Sequence, residues 1–211
     1  MFMSKSEINK NKGYYIFFVM IDILSRRAFI YPIKNRTTNE LIKGFNLFLD
    51  DLNSLNKYCN KVIGDDEFNN IELIKLLNIN EIQYSFHVAK DDHFIKNSSN
   101  ALGIIDRFIK TIKLKILKYQ KLTGNINYID VMDKMLKNYN NSEHSTIKTT
   151  PEKMFYNDGK QEQFKIKNDI YNDITKEGFN LIVGDYVRTV KKTKLFDKEN
   201  QTYSTKIYII N

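Results

Sequence analysis

Apolar residues in this chain switch between a spacing of two and a spacing of three to four, and the switches divide it into strands and helices. Residues 14–22, YYIFFVMID, are aromatic and β-branched with almost no polar break, which suits a buried central strand. Residues 26–33, RRAFIYPI, predict a neighbouring strand, with Pro32 near its exit. The connection at 22–25 is tight, so the two form an antiparallel hairpin. Thr37 and Glu40 have the spacing of a capping box, and Leu41, Phe45, Phe48 and Leu52 then recur on one helical face. A short strand is expected over 61–64, a helix over 68–77 with Ile71, Ile74 and Leu77 apolar, and a strand over 81–86.

Residues 87–99 are polar and predict a loop. The longest helix is expected over 100–119, with Leu102, Ile105, Ile109, Ile112 and Ile116 as its buried stripe. A further helix over 127–139 carries Tyr128, Met132, Met135 and Tyr139 in register, and Pro151 opens a short one. Two strands, helix, strand, helix, strand and then helices is an α/β order with a mixed sheet. From 159 to 176 the period fades, which places a linker over 160–177 after a core of residues 1–159. Residues 178–211 predict short strands of a partial small β-barrel.

Composition narrows the class. The 211 residues are 42% hydrophobic and 27% charged, which supports a core and excludes wholesale disorder. The net charge of +8 favours a polyanionic partner, nucleic acid before membrane. One cysteine, Cys59, permits no internal disulfide and points to an intracellular protein. With His87, His93 and His144 far apart, no structural zinc site is expected. The run 14–24 is about half the length of a membrane helix and contains Asp22.

The candidate chemistry rests on three carboxylates. Asp22 and Asp65 each close a predicted strand. Asp106 shares a helical face with Lys110 and Lys113 at i+4 and i+7, beside the apolar stripe. If the strands are adjacent, the three acids converge. Convergent carboxylates with open positions select Mg2+ or Mn2+, and two such ions about 4 Å apart serve in-line displacement at phosphorus. Lys110 and Lys113 would hold the DNA backbone. Taken singly, each feature has a plainer use: an Asp after a strand is commonly a turn residue, and an Asp–Lys pair at i,i+4 a surface ion pair.

The segments FFVMIDILSRRAFIYPIKNRT, VIGDDEFNN, NALGIIDRFIKTIK and YNNSEHSTIKTTPEKMF, with the tail GDYVR…FDK…YSTKIYII, carry a resemblance. The chain resembles the retroviral-type integrase core of retroviruses, long-terminal-repeat retrotransposons and Maverick/Polinton elements, the last group most closely through LGIIDRF and the tail. The resemblance implies a ribonuclease H-like fold with a mixed five-stranded sheet, an SH3-like tail, and metal-dependent 3′-end processing and strand transfer. It implies Asp22, Asp65 and Asp106 as catalytic metal ligands, Lys110, Lys113, Arg188, Lys191 and Lys192 as DNA contacts, and Asn140 and His144 as stabilisers of the turn after the fifth helix rather than direct actors. It further implies double-stranded DNA as partner, a homo-multimer, no membrane, and a nuclear or virus-associated location.

The sequence departs from that pattern in three places. The third acid is Asp106 where the family usually has Glu. The second sits in a shortened GDDEF, where Asp66 is the alternative ligand and Glu67 a cap of the following helix. The chain opens almost at the first core strand and ends early in the barrel, as a fragment or decaying copy would. His93 with Asp91 and Asp92 is an open second reading, a metal site or a solvated loop. Two rival functions follow: a nuclease of the same fold without strand transfer, and a degenerate or domesticated DNA-binding module.

Overall fold

The computed structural model describes residues 1, 3–86, 95–176, 183–184, 186–189 and 206–210. The chain divides into two compact units, Met1–Glu162 and Gln163–Asn211. In the first, β1 (Ile16–Ile21) and β2 (Ala28–Ile33) form the expected antiparallel hairpin, in register from Ile16↔Ile33 to Ile21↔Ala28. Then follow α1 (Thr38–Ser54), β3 (Lys61–Gly64), α2 (Ile71–Ile79), β4 (Gln83–Phe86), α3 (Ile95–Thr123), α4 (Ile129–Asn140) and α5 (Pro151–Tyr156); α6 (Asp158–Lys176) spans the division between the two units. β3 and β4 are parallel, joined through α2.

The hairpin is the middle layer of three, and the period of two along its strands explains why. Ile16, Phe18, Phe29 and Ile33 face one core, shared with Leu41, Phe45, Phe48 and Leu52 of α1, Val62 of β3 and Leu73 and Leu77 of α2. Phe17, Val19, Ala28 and Ile30 face the other, shared with Phe108, Ile112 and Ile116 of α3 and with Tyr128 and Met132. A strand buried on both faces needs an unbroken apolar run, as 14–22 supplies. Gly44 lets α1 settle closely on β1: a Cβ there would lie 2.7 Å from Phe18 Cγ.

The expected five-stranded sheet is replaced, among the described residues, by separate two-stranded pairs. The second edge of β1 is already occupied. Met1 N donates to Phe17 O at 2.8 Å, Phe17 N to Met1 O at 2.9 Å, and Met3 N to Tyr15 O at 2.8 Å. β3 therefore shares a core with β1 without bonding to it.

Several local expectations also change. Thr37 precedes α1 but makes no side-chain cap bond; its hydroxyl goes to Asn35, and Glu40 accepts from Lys34 N. α2 starts only at Ile71, because Asn70 caps it by accepting from Leu73 N at 2.8 Å. Leu73 is then buried and Ile71 is 73% exposed. In α3 the buried line is Phe108, Ile112 and Ile116, while Leu102, Ile105 and Ile109 are half-buried. The reason is tertiary: Phe108 packs edge-on against Tyr139 of α4, ring centres 4.6 Å apart. The stretch expected as linker, 160–177, is helical to Lys176, since Lys and Gln favour a helix without an apolar stripe.

In the second unit, β5 (Tyr186–Val187) and β6 (Tyr208–Ile209) are antiparallel, and Gly184 N donates to Ile210 O at 2.8 Å. This pair stands where a barrel was expected; no barrel is formed by the described residues.

Candidate functional site

Asp22 ends β1 and caps the hairpin turn. Its Oδ2 accepts from Ser25 N at 2.7 Å and from Ser25 Oγ at 2.5 Å. Ser25 is fully buried, and its Oγ also accepts from Arg27 N at 3.1 Å. An Asp that bonds a backbone N–H and hydroxyl three residues on is a turn-forming device. Arg26, in the left-handed region at φ 65°, completes the reversal.

Asp65 follows β3 and precedes a short 3-10 turn over Asp66–Phe68, without capping it by its side chain. Asp65 and Asp66 are exposed. Glu67 pairs with Arg36, not with the following helix. Asp106, Lys110 and Lys113 are all exposed on the outer face of α3. The carboxylates of Asp65 and Asp106 accept no hydrogen bond and form no ion pair among the described residues.

Contacts around the hairpin fix the direction of β3. Before its start, Lys57 lies over the Phe155 ring, 5.8 Å from its centre, and Arg27 at the hairpin end lies over the same ring at 4.7 Å. Cys59 has its thiol pKa raised, first by burial and also by the field of Asp22. Beyond its end, Phe68 stacks edge-on with Phe18 early in β1, and Glu67 meets Arg36, past the end of β2. β3 thus runs opposite to β1. The start of β3 lies toward Asp22 and its end carries Asp65. Four strand residues span roughly 13 Å, more than the ~4 Å between paired ions. The structure separates Asp22 from Asp65, contrary to the convergence expected of adjacent strand ends.

α3 packs against both β1 and β3. Arg107 lies within the field of Arg26 and His144 at the hairpin end. Two turns on, Lys113 and Arg36 act on the Met1 ammonium, whose pKa is lowered to about 6, mainly by burial. The Asp106–Lys110–Lys113 face therefore runs from the level of Arg107 toward the end of the sheet that carries Glu67.

Asn140 is a buried clamp. Its Nδ2 donates to Ala28 O and its Oδ1 accepts from Ala28 N, both at 3.0 Å. His144 accepts from Thr146 N at Nδ1 (3.2 Å) and bridges to Thr149 through backbone. Its pKa is lowered by burial first, then by Arg26 and Arg107. Arg188, after β5, is exposed. Lys191, Lys192, Asp91, Asp92 and His93 lie outside the described residues. Ser25 and Arg26 were missed in the sequence reading; the Asp-x-x-Ser spacing was the available signal.

The donor chemistry suits a hard divalent ion only in part. Asp65 and Asp106 offer unengaged oxygens, whereas Asp22 is held by Ser25 near the other end of β3. Among the described residues no three His, Cys, Asp or Glu side chains gather as a metal would require. No helix among the described residues is long and apolar enough to cross a membrane.

Known proteins resemble this fold. The HTLV-2 integrase catalytic core in complex with magnesium matches at TM-score 0.51 in its trimeric form and 0.50 in its dimeric form, each at 20% identity. These matches cover 67% and 68% of this chain and 84% of the core. A chain of the simian T-cell lymphotropic virus intasome in complex with PP2A regulatory subunit B56 gamma matches at TM-score 0.55 and 17% identity, over 67% of this chain and 48% of that one. The fold is that of an integrase catalytic core, a mixed α/β architecture. In sequence, an uncharacterised transposon-derived protein of Caenorhabditis elegans is 28% identical over 95% of this chain. The chain spans 64% of that relative's length. No family model matches.

Proposed function

We propose that this chain is the core of a DNA strand transferase of a mobile element or virus. It would act on double-stranded DNA within a homo-multimer, in the nucleus or in association with a virus. The observation that carries the reading is the exposed Asp106–Lys110–Lys113 face on the helix that packs against both β1 and β3, in a fold shared with integrase cores. Asp65 and Asp106 are the carboxylates for Mg2+ or Mn2+. Such ions commonly take one or two carboxylates and draw further oxygens from a phosphate, and a bound ion would neutralise charge on the phosphodiester. Lys110, Lys113, Arg188, Lys191 and Lys192 hold DNA phosphates. Asp22 fits this site least, because its carboxylate caps the hairpin. The kinship with Maverick/Polinton elements belongs to the same proposal, through LGIIDRF and the tail.

The test is disintegration of a branched DNA with Mg2+ or Mn2+. Wild-type activity, lost in Asp106→Asn and in Asp65→Asn, supports the reading. Activity unchanged in both variants removes them as ligands. The engagement of Asp22 favours one second reading, a DNA-binding module without chemistry. It requires a folded wild-type protein that binds DNA, forms no product, and binds equally with Asp106→Asn.

A further inference from the structure

The buried line of α3 is Phe108, Ile112 and Ile116, so the opposite side of the helix faces outward. On that side Lys110, Lys113, Leu114, Leu117, Lys118 and Lys121 are all exposed. At 100° per residue they fall within one sector of about 140°. The two leucines, 57% and 47% exposed, lie between one lysine pair and the next. From Arg107 to Thr123 the chain holds six Lys or Arg and no Asp or Glu. A solvated helical face usually mixes the two signs, with acid and base one turn apart. Here none of the four lysines forms an ion pair among the described residues. Lys110 with Lys113, and Lys118 with Lys121, are instead like charges on neighbouring turns, which disfavours the helix by itself. The helix dipole accounts for Lys121 in the last turn and falls off before the others.

We propose that Lys118 and Lys121 are a second phosphate-binding pair, which continues the Lys110–Lys113 contacts so that duplex DNA lies along α3 away from Asp106. At 1.5 Å per residue the new pair stands roughly 18 and 22 Å along the helix from Asp106, a reach of about 5–7 base pairs of duplex. Phosphates bound there supply the counter-charge that the chain itself does not. Lysine suits the task as a point charge on a flexible stem, with no fixed geometry to meet. Two leucines alone would suit a second copy of the chain, but four unpaired cations flanking them favour a polyanion. The site rests on the proposed DNA partner but not on catalysis.

The test is anisotropy of a labelled 20-base-pair duplex in EDTA across a salt series. Variants are Lys118→Gln/Lys121→Gln, Lys118→Arg/Lys121→Arg and, as reference, Lys110→Gln/Lys113→Gln. All four positions are exposed and Gln keeps the helix propensity of Lys, so the variants should fold. Each Gln pair should weaken binding several-fold and lower the slope of log K against log salt by about two, while the Arg pair keeps the wild-type slope. Wild-type affinity and slope in Lys118→Gln/Lys121→Gln, with both reduced in the reference pair, would overturn this site and leave the DNA partner standing. A wild type that binds no duplex would remove both. A multimer that dissociates in Lys118→Gln/Lys121→Gln without change in DNA affinity would give the face to a second copy. Absent strand transfer with the slope change intact would sink the enzyme reading and leave this site in place.

Discussion

Replacing Ser25 by Ala tests whether Asp22 belongs to the fold or to the chemistry. The substitution deletes the Oγ bond to Asp22 Oδ2 at 2.5 Å, a hydrogen bond to a charged group worth ~1.5–3 kcal/mol. It also takes the acceptor from Arg27 N, worth about 1 kcal/mol. The Ser25 N bond to Asp22 survives, so the total loss is roughly 2–4 kcal/mol. Asp22→Ala removes the same bond from the other side and leaves two donors of a buried serine unpaired. The pair should therefore couple by ~1.5–3 kcal/mol in a double-mutant cycle. The assay is urea unfolding followed by far-UV circular dichroism, since the chain has no tryptophan. In disintegration below the unfolding transition, Ser25→Ala should keep wild-type product. A coupling under about 0.5 kcal/mol, with Asp22→Ala folded but inactive, would refute the cap and make Asp22 a ligand.

Asn140→Leu removes both bonds to Ala28 and leaves buried backbone groups unpaired; a loss of about 2–4 kcal/mol is expected in urea midpoints, and a loss under 1 would contradict it. Gly44→Ala gains about 1 kcal/mol of helix propensity, but its Cβ meets Phe18 at 2.7 Å. Net destabilisation of ~1–2 kcal/mol should appear by thermal melting, and a raised melting temperature would be the wrong sign. His144 holds its proton less tightly folded than unfolded, through burial and then Arg26 and Arg107. Its contribution is whole above the unfolded value near 6.5 and is lost as pH falls toward the folded value. The urea midpoint should drop between pH 7.5 and 5.5, less so in His144→Gln; equal drops would discount His144.

The hairpin was legible because both its faces are apolar over 14–22, and no other element suits such a run. The elements β3, β4 and α4 were placed by period and turn residues. The direction of β3 relative to β1 was not legible, because its determinants are pairwise: Arg27 and Lys57 on Phe155, Phe68 on Phe18. That direction decides whether Asp22 can meet Asp65, so the geometry of the candidate site was not legible in the sequence. Phe108 was missed as a core residue for a related reason. Its burial comes from Tyr139, and several isoleucines on α3 offered an equally regular stripe.

The Asn140 clamp joins residues 112 positions apart. At ~5–20 residues per second of synthesis, the hairpin waits roughly 6–22 s on the ribosome before that partner is even made. Until then Ala28 has only β2's neighbour strand to hold it. A nascent chain arrested before Asn140 should thus expose the apolar face meant for α3 and α4, and attract the cell's holding chaperones there.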